Sequence, residues 1–398
     1  MRFTELAQAI GALDPASPRY ATEVVDQVLA LSRAARASDV HFQPGAEGLE
    51  LRFRVDGILH HAATLPAKLA PNVVARLKVL ADLLTYRADI PQEGRVKTAP
   101  GALEMRLCTF PTVLGEKAVV RLFADPGRYL TLGELGLPED VAAFLSRAIE
   151  ATSGGIVISG PAGSGKTTTL YACLREIAAR TAGTRALVSL EDPVESIVAG
   201  AAQSQVNAAS GFTLELGLKS LLRQDPEVIA IGEIRDPVTA GIALQAALTG
   251  HLILTTFHAG GVCEVLGRLL DMGLEPYAIR SGVRAIVGLK LARKLCECAR
   301  LAQSPDDLLG LGVTTAKVPV GCPRCGETGY LGRTLLAEML DTEIDGVAQA
   351  ILKRTDVRGL EAEARSSGMI DARARALAAV EAGLTSPAEV RRVLGLGR

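Results

Sequence analysis

The sequence contains no tryptophan, and aromatic residues make up only 4% of it. A protein that stacks nucleobases on aromatic platforms has little material here. Lys and Arg number 43 against 44 Asp and Glu, for a formal net charge of −1. No global basic field therefore points to direct nucleic-acid binding. No apolar run approaches the roughly 20 residues that a membrane-spanning helix needs. The N-terminus meets acidic Glu5 early and has no uninterrupted apolar core, so it does not read as a secretory signal. Seven cysteines in such a chain point to the cytoplasm, where thiols stay reduced. What is present is 398 residues that are 48% apolar, enough for two or three domains with real cores.

The most informative stretch begins with the apolar run Ile156–Ile158, which reads as a buried strand. The loop Gly160, Pro161, Ala162, Gly163, Ser164, Gly165, Lys166, Thr167 follows, then Thr168 and a helical pattern to Ile177. Strand, glycine-rich loop ending in Gly-Lys-Thr, and helix together are the signature of a phosphate loop. The glycines let backbone N–H groups turn toward phosphate oxygens, and the helix N-terminus adds partial positive charge. Lys166 is expected to reach the β- and γ-phosphates of a bound nucleotide, and Thr167 to ligate Mg²⁺.

Around this loop the chain reads as an α/β protein in several parts. Residues 1–20 are a short lead. Residues 21–128 read as a small α+β domain, with strict alternation from Leu49 to Val55 and an Asp56-Gly57 turn. In it, Pro71–Leu84 reads as helix, Glu93-Gly94 as a turn, and residues 111–116 as the loop between strands Leu103–Cys108 and Lys117–Phe123. Residues 129–140 are a linker punctuated by Gly133, Gly136 and Pro138. Residues 141–295 alternate strand and helix, which predicts a mostly parallel sheet with helices on both faces. Residues 296–340 hold a cysteine cluster, and 341–398 read as three or four short helices.

Polar groups gather at the predicted carboxyl ends of strands, where such sheets bind ligands. The strand Val228–Ile231 ends in Glu233, a carboxylate suited to hold Mg²⁺ or orient water. Another strand ends in Glu191, Asp192, Pro193, Val194 and Glu195, read either as a solvated turn or as the home of a general base. His251 and His258 flank a third strand; His258, at its carboxyl end, is the candidate for sensing the γ-phosphate, against an ordinary core or rim histidine. Arg106 and Arg121 lie on successive strands of the small domain. Exposed arginines are common on strands, but phosphoryl transfer often recruits one from a neighbouring domain or subunit. Cys296 and Cys298 with Cys322 and Cys325 have the residues of a closed structural Zn²⁺ site. Four reduced thiols are the alternative. The first pair is one residue tighter than the usual C-x-x-C, and Cys263 reads as an inert core thiol.

Taken together these motifs resemble the secretion ATPase superfamily that drives type II secretion and type IV pilus assembly. The resemblance covers about residues 21–396. It rests on Ala37–Pro44, Val55–Leu59, Pro111–Lys117, the phosphate loop, Glu191–Glu195, Leu222–Val228, Gly232–Asp236, Thr249–Leu252, Thr255–His258 and Cys322–Arg333. It implies a RecA-like P-loop ATPase domain preceded by the small α+β N-terminal domain and followed by a four-cysteine metal-binding subdomain and a C-terminal helical region. It implies a cytoplasmic homo-hexamer, peripheral at the inner membrane through its partners, that uses ATP and Mg²⁺ and acts on an inner-membrane platform protein. By motif match Glu195 is the catalytic glutamate, Glu233 the acid of the second nucleotide motif, and His258 part of a histidine box. Arg106 and Arg121 match the arginines that approach the phosphates from the N-terminal domain. There are departures. Only about twenty residues stand where many members carry a further N-terminal domain, Glu93 replaces a common Asp, and Leu289-Lys290-Leu291 stands where Gln-Arg-Leu is frequent. The cysteine cluster favours an assembly or secretion motor over a retraction motor. A hexameric nucleic-acid translocase sharing the same core is the competing function.

Overall fold

A computed structural model describes residues 8–96, 105–122 and 131–396. The chain divides into two compact units. One holds Met1–Asp125 with Leu295–Arg300 and Pro319–Gly332; the other holds Pro126–Lys294, Leu301–Val318 and Arg333–Arg398. All four clustered cysteines fall in the first unit.

The first unit is built on a six-stranded sheet with helices packed against it. In chain order these are α1 (Tyr20–Ala34), β1 (Asp39–Gly45), β2 (Gly48–Val55), β3 (Ile58–Leu65), α2 (Ala70–Leu80), β4 (Gln92–Val96), β5 (Met105–Thr112) and β6 (Gly115–Leu122). The strand order is β3-β2-β1-β6-β5-β4, and every pairing is antiparallel. Alternation does the sorting: Leu49, Leu51 and Phe53 of β2 are buried with Val24, Val28, Val74 and Leu77 of the helices, while Glu50, Arg52 and Arg54 face outward. Asp56 and Gly57 both take left-handed φ, the conformation a tight two-residue hairpin demands.

Two sequence expectations fail in this unit for physical reasons. Glu93-Gly94 is not a turn but the middle of β4. The glycine is there because a Cβ would meet the Ala81 carbonyl oxygen at 2.5 Å, so it marks a close backbone approach rather than a bend. Residues 111–116 are not a loop either: β5 and β6 pair through Thr112↔Gly115, leaving only Val113 and Leu114 to turn the hairpin. The start predicted for the first of these strands lies outside the described residues. Helix α2 ends at Leu80 rather than Leu84.

The second unit contains α3 (Glu139–Ala148), β7 (Gly154–Ser159), α4 (Lys166–Thr181), β8 (Leu187–Glu191), β9 (Ala201–Gln205), α5 (Leu214–Leu221), β10 (Val228–Ile234), α6 (Pro237–Leu248), β11 (Leu252–Phe257), α7 (Val262–Asp271) and α8 (Pro276–Gly282). Then come β12 (Val283–Leu295) and β13 (Tyr330–Asp341), whose ends at Leu295 and at Tyr330 to Gly332 fall in the first unit, and α9 (Asp345–Leu352), α10 (Val357–Ser366), α11 (Ala372–Glu381) and α12 (Pro387–Leu394). The sheet order is β13-β12-β7-β11-β10-β8-β9, and the pairings from β12 through β9 are parallel. Successive residues of its strands enter different cores. Ile156, Ile158, Val228, Ala230, Leu252 and Leu254 pack with α3 and α4. Val157, Ile229, Ile231 and Ile253 pack with α5, α6 and α7. A sheet covered on both faces leaves its strand ends as the place for polar chemistry. The C-terminal helices form a further cluster with Ala292 and Leu336. There Arg293 and Arg392 both donate to the fully buried Glu389, fastening α12 to β12.

Candidate functional site

The order β7-β11-β10-β8 puts four consecutive carboxyl ends side by side, and each carries a predicted residue. Strand β7 runs into the phosphate loop, β11 into His258, β10 into Glu233, and β8 into the segment that holds Glu195. The loop begins by tying to its neighbour, with the Gly160 N–H donating to the Phe257 carbonyl at 3.2 Å.

Gly160, Gly163 and Gly165 all take positive φ. At Gly160 the requirement is also steric, since a Cβ would lie 2.4 Å from the Leu289 carbonyl oxygen and 2.5 Å from Ser164 Oγ. The Ser164 hydroxyl is buried without a hydrogen-bond partner among the described residues. An orphaned hydroxyl within a cradle of backbone N–H groups suits a phosphate oxygen. Helix α4 starts at Lys166 and adds its positive end to the same cradle. Lys166 Nζ folds back on the Gly160 and Pro161 carbonyls, at 2.8 and 3.1 Å. Burial lowers its pKa, and the Glu233 and Glu195 carboxylates oppose that shift while Arg235 adds to it. The three predicted phosphate-site charges therefore lie within electrostatic reach of one another.

Strand β10 explains how Glu233 is aimed. Its pairing with β11 slips between Ile231 and Ile234, a bulge that redirects the side chain. The Gly232 backbone is close to β8, where a Cβ would stand 3.3 Å from Glu191 Cα, and its carbonyl accepts from Thr256 Oγ1 at 2.6 Å. Glu233 pairs with Arg235 at 2.5 Å. Asp236, the last residue of that motif, caps α6 through Thr239 and serves the fold.

The two glutamates of the acidic segment have different surroundings. Glu191 is 2% exposed and accepts from Tyr171, Ser189 and Gln203. Glu195 lies beyond the strand, with its backbone N–H donating to the Tyr171 hydroxyl at 2.9 Å. Tyr171 was not singled out by the sequence, although a tyrosine on the apolar face of a helix carries a hydroxyl that needs a partner. His258 is exposed, and its carbonyl accepts from Arg268 at 2.6 Å. His251 contacts the Ala246 carbonyl at the opposite end of β11 and serves the α6–β11 turn.

Arg106 and Arg121 belong to the other unit, directly opposite each other on β5 and β6. Arg106 pairs with Glu93 at 2.7 Å, and Arg121 with Asp39 at 3.0 Å. Register extends this into a row across five strands: Arg54, Asp39, Arg121, Arg106, Arg95.

The four cysteines also converge. Their sulfurs lie within 4.8 Å of one another, with Cys296–Cys322 and Cys322–Cys325 at 3.8 Å and Cys298–Cys325 at 4.0 Å. Tetrahedral zinc with bonds of about 2.3 Å sets its sulfurs about 3.8 Å apart, so the donor set fits Zn²⁺. Cys325 Sγ accepts backbone N–H groups from Cys322 and Gly329 at 3.2 Å each, an arrangement that favours thiolate. The tighter first pair does not prevent convergence.

Comparison with known proteins gives one answer. Residues 17–392 match the family described as type II/IV secretion system protein. The chain is 38% identical over 382 residues to the protein transport protein HofB homolog of Escherichia coli, covering 94% of this chain and 81% of that one. It is 36% identical to the type II secretion system protein E of Pectobacterium carotovorum, covering 98% and 78%. It is also 36% identical to the type IV pilus assembly ATPase PilB of Thermus thermophilus, covering 93% of this chain but only 42% of that relative. Among solved structures, the ATPase DotB of Legionella pneumophila shares the fold at a TM-score of 0.68 and 21% identity, covering 97% and 98%. None of these supports the nucleic-acid translocase. The chain belongs to the type II/IV secretion system protein family.

Proposed function

We propose that the chain is the ATP-hydrolysing motor of a machine that assembles pilin or pseudopilin filaments, as in type II secretion or type IV pilus assembly. The enzyme class follows from the family, whose relatives include pilus assembly ATPases. The observation that carries the site assignment is the adjacency of four strand ends bearing the phosphate loop, His258, Glu233 and Glu195.

In this reading the loop from Gly160 to Thr168 cradles the phosphates, with Lys166 on the β- and γ-phosphates. Thr167 and Glu233 would hold Mg²⁺, which would supply positive charge to offset that of the phosphates. Glu195 takes a proton from the water that attacks the γ-phosphorus; the bond to the β-phosphate oxygen breaks, releasing ADP and phosphate. His258 reads the presence of the γ-phosphate. Arg106 and Arg121 approach the phosphates from the small domain, within a homo-hexamer whose movement is passed to an inner-membrane platform protein. No helix among the described residues is long and apolar enough to cross a membrane. The four cysteines would hold structural Zn²⁺.

Glu195→Gln tests the central assignment. It is expected to bind ATP normally while phosphate release falls by about 10²–10⁴-fold. Unimpaired release removes Glu195 from the chemistry.

A further inference from the structure

Helix α4 begins at the phosphate loop, and two of its side chains grip the segment that holds Glu195. Tyr171 stands four residues past Thr167, so both lie on one helix face a turn apart. Its side chain is buried, and its hydroxyl has two partners. It donates its single proton to Glu191 Oε2 and accepts the Glu195 backbone N–H at 2.9 Å. A phenol has one hydrogen, so these two bonds fix each other's direction. Burial, then the hydrogen bond to Glu191, raises the phenol's pKa and keeps that hydrogen in place.

Glu191 is itself immobilised. Its Oε1 accepts from Ser189 Oγ at 2.5 Å and Gln203 Nε2 at 3.1 Å. Gln203 continues the network, donating to the Ser196 carbonyl at 3.0 Å and accepting the Val198 N–H at 2.6 Å. One turn further along α4, Arg175 lies over the Tyr171 ring, 5.8 Å from its centroid, and donates to Ser196 Oγ at 3.3 Å. A carboxylate this deeply buried is costly unless fully hydrogen-bonded, and once satisfied such a network is rigid. What it holds still is the backbone at Glu195 and Ser196.

We propose that Tyr171 is a positioning residue for hydrolysis, oriented by buried Glu191 and seconded by Arg175, which locks the Glu195 backbone to the helix that starts at the phosphate loop. The proposal rests on Glu195 being the base. A loosened base costs rate rather than binding, because a displacement of about 1 Å at a reacting group is worth up to about 10²-fold.

The test uses the full chain, with steady-state ATP hydrolysis and binding of a non-hydrolysable ATP analogue. Tyr171→Phe is expected to lower kcat roughly ten- to a hundredfold, with analogue affinity and KM held within about twofold. In a Glu195→Gln background the same change should cost nothing more, because its effect runs through that side chain. Arg175→Gln, at the half-exposed end of the grip, leaves the buried carboxylate intact. It should lower kcat severalfold with affinity unchanged, and it decides the matter if Tyr171→Phe does not fold. Unchanged kcat in the variant that folds, analogue affinity falling in step with kcat, or a full extra loss on top of Glu195→Gln would each overturn the proposal. If Glu195→Gln alone hydrolyses normally, the base assignment fails and takes this inference with it; if only the Tyr171 and Arg175 variants are silent, the inference fails alone.

Discussion

The two sheets present polar groups in opposite ways. In the parallel sheet the candidate groups sit at the ends of adjacent strands, because both faces are covered by helices. In the antiparallel sheet they form a row across the strands, because one face supplies the apolar core and the charged side chains alternate with it. A strand-end site is written in the chain as short contiguous strings, such as Gly232–Asp236 or Glu191–Glu195. A cross-strand row is scattered, here over Asp39, Arg54, Arg95, Arg106 and Arg121, and only the register assembles it.

The largest effect that sharpens this contrast is Lys166→Ala. It is expected to abolish ATP binding and turnover, lowering phosphate release by at least about 10²-fold while leaving the melting curve in place. Retained turnover would remove the strand-end site from the chemistry. Next comes the row. Arg121→Ala should lower kcat by about tenfold or more, whereas Arg54→Ala, which removes a second arginine paired with Asp39, should leave kcat within about twofold. Equal effects on kcat from both would make the row purely structural.

Smaller effects probe stability. The purified protein is expected to hold about one zinc per chain by elemental analysis, and Cys322→Ser should lose the metal and lower the melting temperature by several degrees. Metal-free protein with an unchanged melting temperature would leave four reduced thiols. The mildest test is acid. Burial raises the Glu389 pKa, but hydrogen bonds from Arg392 and Arg293 outweigh this and hold it below the ordinary glutamate value. A carboxyl depressed in the folded state adds stability that is fully present above its unfolded pKa and lost as pH falls through its folded one. Glu389→Gln should therefore flatten the acid side of the stability–pH curve, and an unaltered acid limb would contradict the assignment.

Much of the strand-end site was legible, because loop, acid and helix must follow one another in the chain for the chemistry to work. The run from Ile156 into Lys166 is such a case. What stayed hidden depended on tertiary approach. Gly94 looks like a turn until Ala81 is seen against it. Glu191 and Glu195 look equivalent until one is buried beneath Tyr171 and the other is not. The convergence of two cysteine pairs of unequal spacing likewise needed coordinates.

The guanidinium row has one further consequence. Arg121, Arg106 and Arg95 are immediate neighbours of like charge, and Asp39 and Glu93 offset some of their repulsion. Oxygen-rich negative charge arriving on this face would relieve more of it, so occupancy and stiffness of the small sheet become a single quantity. Its melting point should then rise in sulfate over chloride, at equal ionic strength, by more than the general salting effect, and Arg106→Ala should remove that excess.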